Sequence, residues 1–166
     1  TKLAGELSDY LAIPRDQFKS LMSFFMAMHD LGKFASAFQA LYSSDSTKLI
    51  LTNSRKSYDG SHYRHDRLGT WFWRKLRQQI CERCTEGHGL NRRQLKYLTK
   101  PLNIIMDCML GHHGVPVELD EPGIEGFTES RNLSASEAFT LDLITLFQPE
   151  FTEVMIQNDS DWLVKL

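Results

Sequence analysis

The sequence lacks an apolar run long enough to cross a membrane. Its longest apolar stretches, residues 21–28 and 104–110, are far shorter than the ~20 residues that a membrane-spanning helix needs. No basic segment followed by an apolar one opens the chain, as it would in a secretion signal. We therefore expect no membrane role.

Cysteine is also scarce, since the chain has only three. Cys81, Cys84 and Cys108 are too few and too unevenly spaced for a disulfide framework, so we expect a reducing compartment, by default the cytoplasm. Cys81 and Cys84 have the spacing of half a zinc site, which His88 and Cys108 could complete. Structural zinc sites usually show a second close pair, so this interpretation is not favoured.

The chain carries little net charge. The formal net charge is -2, so the chain is not basic enough to hold nucleic acid by overall charge, and any such contact must be local. Basic residues do concentrate in the middle of the chain: Arg64, Arg67, Arg74, Lys75, Arg77, Arg92, Arg93 and Lys96. Either they line a path for a phosphate backbone, or they form a solvated helix face.

The length and composition suit one folded domain. With 166 residues, 42% of them hydrophobic and 24% charged, the chain falls in the range of a single compact domain, which we take to span residues 1–166. Because the first residue is Thr1 rather than Met, we expect a fragment of a longer chain.

Helix signals dominate the pattern and strand signals are scarce, so the predicted fold class is all-α, a compact helical domain. Pro14 opens a helix that Gly32 ends, which puts His29 and Asp30 in its last turn. A long helix is expected from His65 to Cys84. The other predictions are helices over residues 34–42, 91–98, 101–110, 134–147 and from 149 toward 157, with loops over 43–61 and 117–133.

The run from His29 to Lys33 places an imidazole and a carboxylate at one helix end. Such a pair can bind one metal ion together, and the two oxygens of Asp30 could bridge two ions ~3.5–4 Å apart, as in two-metal hydrolases. Lys33 points a cation at the same pocket. The alternative is an ordinary amphipathic helix that ends at Gly32 with a surface Asp and Lys.

Two further histidine clusters lie beside predicted helix ends. The run from Gly111 to Gly114 contains the adjacent histidines His112 and His113. Neighbouring side chains on a helix diverge by ~100°, so each imidazole can bind a different metal ion, or one can bind a metal ion and the other the substrate. His65 begins a predicted helix, and Gly69 follows one turn later, which allows close packing against another helix. Scattered surface histidines would explain each residue separately but not their shared placement.

Three segments together resemble a known family. Residues 25–39 (FMAMHDLGKFASAFQ), 63–69 (YRHDRLG) and 111–114 (GHHG) are similar to HD-superfamily metal phosphohydrolases and, within them, to the HD nuclease domain of the CRISPR type I interference nuclease-helicase. The resemblance spans most of the chain in the right order. It implies a compact helical HD-superfamily domain.

The resemblance also implies a set of metal ligands. Asp30 would bind a first ion with His29 and bridge to a second, and Lys33 would lie near the scissile phosphate. The implied ligands are His29, Asp30, His65, His112, His113 and Asp161. Asp161, in the segment Ser160-Asp161-Trp162-Leu163, is the match to a late family aspartate, although Val164-Lys165 replaces the usual Gly-Ser; Asp159 is the alternative.

One family feature is missing. The family has a histidine upstream of the His-Asp pair, yet residues 1–28 contain none, so the chain is expected to hold one or two ions. A shell of imidazoles and carboxylates suits the divalent transition metals Mn, Fe, Co, Ni or Zn better than Ca.

The function that the resemblance implies is metal-dependent hydrolysis of single-stranded DNA, as endonuclease and exonuclease, in antiviral defence. The expected partners are the guide-RNA surveillance (Cascade) complex and a helicase domain of the same or a partner chain, because no Gly-x-x-x-x-Gly-Lys-Ser/Thr phosphate loop occurs in this sequence. Two alternatives stay open. They are an HD-type nucleotide phosphohydrolase and a catalytically impaired scaffold that docks a partner.

Overall fold

The computed structural model describes residues 2–11, 13–42, 57–61, 63–87, 89–111, 114 and 124–149. Within these ranges the chain forms helices and no strand, which confirms the predicted all-α fold. The α-helices are α1 (Lys2–Leu11), α2 (Arg15–Met28), α3 (Ser36–Gln39), α4 (His65–Cys84), α5 (Arg92–Leu110) and α6 (Ser130–Phe147). Two 3₁₀ helices join them, η1 (Leu31–Phe34) and η2 (Ile124–Phe127).

The helix predicted from Pro14 is α2, but it ends earlier than Gly32. Its last residue is Met28, and His29 is the C-cap in right-handed helical conformation. Asp30 then leads into the 3₁₀ helix η1. The His29 and Asp30 side chains therefore project from the turn between α2 and η1, rather than from one face of a continuous helix.

The single helix predicted over residues 34–42 was wrong. The chain instead forms η1, an extended residue at Ala35 with ψ 139°, and the four-residue α3. Ala35 is fully buried, so packing of this bend against the core outweighs the helical pattern of the local sequence.

Helix α4 begins at His65 and ends at Cys84, as predicted. Asp66 in its first turn is fully buried and pairs with Arg64, whose Nε lies 3.2 Å from Asp66 Oδ1. A buried carboxylate at this position favours the helix start because the amino end of a helix carries partial positive charge. The ion pair therefore fixes the turn that presents His65.

Helix α5 is continuous, whereas the sequence predicted a break before Pro101. Asn91 caps it as predicted, accepting from the backbone N–H of Gln94 at 3.0 Å in a reciprocal capping box. Pro101 lies inside the helix and is buried, as are Leu98 and Leu102 on either side of it. Burial of these side chains offsets the hydrogen bond that proline removes.

Helix α6 begins at Ser130, four residues before the predicted start at residue 134, and ends at Phe147 as predicted. The cap is Glu129, which forms a reciprocal capping box with Asn132. Part of the loop predicted over residues 117–133 is therefore helical, and it also contains η2. Helix α1 was not predicted. The predictions over residues 43–56 and beyond Pro149 lie outside the described residues.

The core lies between α2, α4 and α5, with η1 and α6 packed against it. The largest fully buried side chains are Trp73, Phe24, Phe25, Phe72, Met28, Leu31, Leu68, Leu102, Met106, Leu110 and Gln39. Phe25 of α2 meets Trp73 of α4 edge to face, with ring centroids 6.4 Å apart. None of the helices in the described ranges is both long and apolar enough to cross a membrane.

Candidate metal centre

Two glycines bring η1 into backbone contact with α4. A Cβ atom on Gly32 would lie 1.6 Å from the carbonyl oxygen of His65 and 2.5 Å from the amide nitrogen of Gly69. No side chain fits in that space. Gly32 does not have a positive φ, so it is needed here for close approach rather than for a turn. The contact sets the first turn of α4 against the residues that follow Asp30.

The carboxylate of Asp30 is the meeting point of three side chains. His65 Nε2 lies 3.5 Å from Oδ1, and His29 Nε2 lies 3.2 Å from Oδ2. The ammonium of Lys33 is 2.6 Å from the same Oδ2 atom. The structure thus brings together four residues that the sequence analysis singled out, from two separate parts of the chain.

A hydrogen bond orients the His29 ring. Its Nδ1 atom lies 2.5 Å from the carbonyl oxygen of Met26, and since a carbonyl only accepts, Nδ1 is the donor. Whenever the ring is in its neutral form, Nε2 has a lone pair, and it faces an Asp30 oxygen that also only accepts. A cation between these two atoms would satisfy both, as in metal sites where a histidine donates its other N–H to a carbonyl.

The surroundings of Asp30 keep it ionised. Partial burial raises the pKa of its carboxyl, but the hydrogen bond from Lys33 and the charges of His29, Lys33 and His65 lower it by more. The net pKa is below the usual value for aspartate. Only the ionised carboxylate is a good ligand for a divalent ion.

The start of α4 is held by an aromatic cluster. Tyr58 Oη accepts a hydrogen bond of 3.0 Å from the backbone N–H of His65. Phe38 packs edge to face against the rings of both Tyr58 and His65, with centroids 5.3 Å and 5.7 Å away. Tyr58 was not predicted as a site residue, because it lies in a polar stretch of the sequence without periodicity.

Two buried amides hold the bend that carries Asp30 and Lys33. Gln39 Nε2 donates to the carbonyl oxygen of Lys33 at 2.5 Å. Asn132 of α6 donates to the carbonyl oxygen of Phe34 at 2.8 Å and accepts from the hydroxyl of Ser36. Asn132 was also missed, since its segment was predicted to be loop. Gln39 was quoted within the family-like segment but given no role.

Three of the predicted ligands, His112, His113 and Asp161, lie outside the described residues, as does the alternative Asp159. The described residues do include the end of α5, which lies shortly before His112 and His113 in the sequence. Leu110, the last residue of α5, lies so close to Gly69 that a Cβ atom on that glycine would be 2.8 Å from Leu110 Cδ2. The end of α5 therefore packs beside Gly69, at the contact between η1 and α4 that also brings Asp30 close to His65.

Among the residues that the structure describes, no group of three or more His, Cys, Asp or Glu is arranged to hold a metal ion. The donor chemistry nevertheless fits one. Ligands bound ~2.1 Å from a common ion lie roughly 3–3.5 Å from each other, and the two His–Asp30 separations are 3.2 Å and 3.5 Å. At present Lys33 provides the positive charge beside the carboxylate.

The half zinc site at Cys81 and Cys84 gains no support. Burial raises the pKa of both thiols to about 12, which disfavours the thiolate that zinc requires. Cys108 is exposed on α5. His88 lies outside the described residues.

An all-helical domain in which a His-Asp pair meets an imidazole from another helix has the make-up of an HD domain. The model of the family described as Cas3, HD domain, matches residues 1–161. The chain therefore belongs to this family, a class of metal-dependent nucleases in CRISPR systems. No curated protein and no solved structure matches the chain.

Proposed function

We propose that the chain hydrolyses phosphodiester bonds of single-stranded DNA during type I CRISPR interference. The observation that carries this proposal is the approach of His65 Nε2 to Asp30 Oδ1 from one side while His29 Nε2 approaches Oδ2 from the other. Two imidazoles and a carboxylate, contributed by the turn after α2 and by the start of α4, are suitable donors for a divalent metal ion, and family membership supports nuclease activity.

The proposed ligands are those implied by the sequence. His29, Asp30 and His65 would hold one or two ions of Mn, Fe, Co, Ni or Zn. His112, His113 and Asp161 are proposed to complete the shell. A bound divalent ion would lower the pKa of a water molecule and offset the negative charge that develops on the phosphate.

Lys33 and Asp30 have separate tasks in this proposal. Asp30 is held ionised, with its two oxygens facing different imidazoles. The ammonium of Lys33 now neutralises Asp30 at 2.6 Å. With a metal ion held at Asp30, Lys33 would be free to donate to a non-bridging phosphate oxygen of the substrate and would stabilise the charge that forms there.

Further parts of the system follow from family membership. A helicase domain, in the same or a partner chain, would deliver the single strand, and the Cascade complex would expose it. We place the domain in the cytoplasm and treat residues 1–166 as one nuclease domain. Each of these is a proposal that the family context supports.

A cleavage assay tests the proposal. The purified chain is incubated with Mn²⁺ and labelled single-stranded DNA, duplex DNA or a panel of nucleotides, beside Asp30→Asn and His65→Ala. We expect Mn²⁺-dependent cleavage of single-stranded DNA that both substitutions abolish. Arg131→Ala is the matched surface control, because this residue pairs with Glu129 on the exposed start of α6, and it should cleave like the unsubstituted chain.

The assay also separates the two alternatives. Hydrolysis of nucleotides with no cleavage of DNA would replace the proposal with a nucleotide phosphohydrolase. A folded chain that is inert on every substrate at saturating Mn²⁺ would replace it with a scaffold.

A further inference from the structure

A groove runs between the second half of α4 and the first half of α5. It encloses about 750 Å³ and is lined on the α4 side by residues around Arg77 and Glu82 and on the α5 side by residues around Arg92 and Lys96. It lies away from the candidate metal centre, whose α4 residue is His65 at the opposite end of that helix. The chemistry proposed at Asp30 therefore does not explain this groove.

The groove is strongly cationic in a chain that is acidic overall. Its charged lining residues are Arg77, Arg92, Arg93, Lys96 and the single anion Glu82. Glu82 accepts a hydrogen bond of 3.0 Å from Gln78. Because the whole chain has a formal net charge of -2, the positive charge is local to this face.

The cations on the α5 side differ in their charge partners from other exposed cations that the structure describes. Within the described part of the chain, Arg92, Arg93 and Lys96 form no ion pair. By contrast, the exposed cations Lys2, Arg15 and Lys19 on α1 and α2 each lie within 4 Å of a carboxylate. Keeping like charges together without counterions costs free energy, so a polyanionic ligand that neutralises them would bind favourably.

An exposed aromatic ring borders the cations. Tyr97 is 53% exposed on α5. The guanidinium of Arg93 and the ammonium of Lys100 lie 5.7 Å and 5.6 Å from its ring centroid. Cations beside an aromatic ring are the combination with which proteins hold single-stranded nucleic acid, through phosphates and bases together. An acidic protein segment would use the cations but would have no need for the ring.

A second cavity extends the groove along α4, toward the end of the helix that begins at His65. This smaller cavity of about 140 Å³ shares Arg77 with the groove and continues along α4 and α5 past Arg74 to Asp107. This cavity is also positively charged, because its lining contains the two guanidinium groups of Arg74 and Arg77 against the carboxylate of Asp107. At a rise of 1.5 Å per residue, Arg77 lies about 18 Å along α4 from His65.

We propose that this α4–α5 groove binds the phosphate backbone of single-stranded nucleic acid and guides the strand to the candidate metal centre. The inference rests on the proposed function for the direction of the strand, but backbone binding in the groove is independent of catalysis. Its cations would contact phosphates, so the binding should be insensitive to sequence and steeply dependent on salt.

The test is binding of a fluorescent deoxythymidine oligonucleotide at several salt concentrations, measured by anisotropy in EDTA so that no cleavage occurs. The groove variant is Arg92→Gln, Arg93→Gln and Lys96→Gln combined. Each phosphate contact with a single strand contributes a slope of about -0.7 in log K against log salt. The variant should therefore bind at least roughly tenfold more weakly at low salt, with a slope shallower by about 2.

The matched control is Lys2→Gln, Arg15→Gln and Lys19→Gln combined, which removes the same charge from α1 and α2. It should bind like the unsubstituted chain. A groove variant that keeps the original slope, as expected if the groove docks an acidic protein segment instead, overturns the proposal. Equal losses in both variants overturn it too, because the effect would then come from net charge.

Failure of the groove is distinguishable from failure of the proposed function. Hydrolysis of bis(p-nitrophenyl) phosphate with Mn²⁺ reports on the metal centre without the groove, so the groove variant should hydrolyse it at the original rate while cleaving DNA more slowly. If the unsubstituted chain does not hydrolyse this substrate, the proposed function fails. The anisotropy result then still decides the groove.

Discussion

His65 Nε2 lies 3.5 Å from Asp30 Oδ1, although Asp30 lies in the turn after α2 and His65 begins α4, 35 positions later in the sequence. Their approach depends on the contact of Gly32 with the His65 carbonyl and the Gly69 amide. The glycines therefore determine whether the candidate metal centre can assemble.

The first prediction concerns this contact. Gly32→Ala places a Cβ atom 1.6 Å from the backbone oxygen of His65, so η1 and α4 must separate. We expect a loss of about 3 kcal/mol in the free energy of unfolding, measured by urea denaturation, together with loss of Mn²⁺ binding.

The control for the contact is Gly60→Ala. Among the residues that the structure describes, a Cβ atom there would meet only Tyr58 Cε1, at 3.5 Å, so stability should change by no more than about 0.5 kcal/mol. Similar effects of the two substitutions would contradict the role assigned to the glycine contact.

The second prediction separates metal binding from catalysis at Lys33. Its ammonium shares Asp30 Oδ2 with His29, so it competes with a metal ion for that oxygen. Lys33→Met should leave Mn²⁺ affinity unchanged or tighter by calorimetry, yet slow DNA cleavage roughly hundredfold through loss of charge stabilisation at the phosphate. Loss of Mn²⁺ binding in this variant would show instead that Lys33 is structural.

The third prediction concerns Asn132, which is fully buried and bonded to Phe34 and Ser36. Asn132→Ala leaves these buried groups without partners and should cost about 2 kcal/mol in unfolding free energy. Ser134→Ala, an exposed change on the same helix, should shift it by no more than about 0.5 kcal/mol. If Asn132→Ala proves equally mild, α6 does not hold the bend.

The difference between Asn132 and Ser134 shows what the sequence could predict. Ser134 has the residue type of a helix cap, but the helix starts at Ser130 because Glu129 and Asn132 cap each other and Asn132 is buried against η1. That tertiary contact leaves no local pattern. The start of α4 at His65, by contrast, is marked by the helical spacing after it and was predicted correctly.

For the candidate site, the sequence indicated chemical groups but not the residues that support them. His29, Asp30, Lys33 and His65 were recognisable as chemical groups in family-like segments, and the structure brings them together. Tyr58 and Phe38, which hold the His65 turn, give no such signal because their role exists only after folding. The helix break predicted at Pro101 was wrong for a related reason, since burial of side chains along α5 offsets the hydrogen bond that proline removes.

The fourth prediction concerns the thiols. Burial raises the pKa of Cys81 and Cys84 to about 12, so at pH 7.5 almost none of either is thiolate. Iodoacetamide should label exposed Cys108 in the folded protein and leave the other two unlabelled until urea is added, as read by mass spectrometry. Early labelling of Cys81 would contradict the buried position of that side chain.

Anomalous diffraction from crystals soaked in Mn²⁺ would locate the metal ion itself. We expect an anomalous peak within about 2.2 Å of an Asp30 oxygen and of the Nε2 atom of His29 or His65, and no such peak in Asp30→Asn. A Mn²⁺ peak elsewhere in the molecule, with the Asp30 carboxylate still paired with Lys33, would contradict the assignment of a metal centre at Asp30.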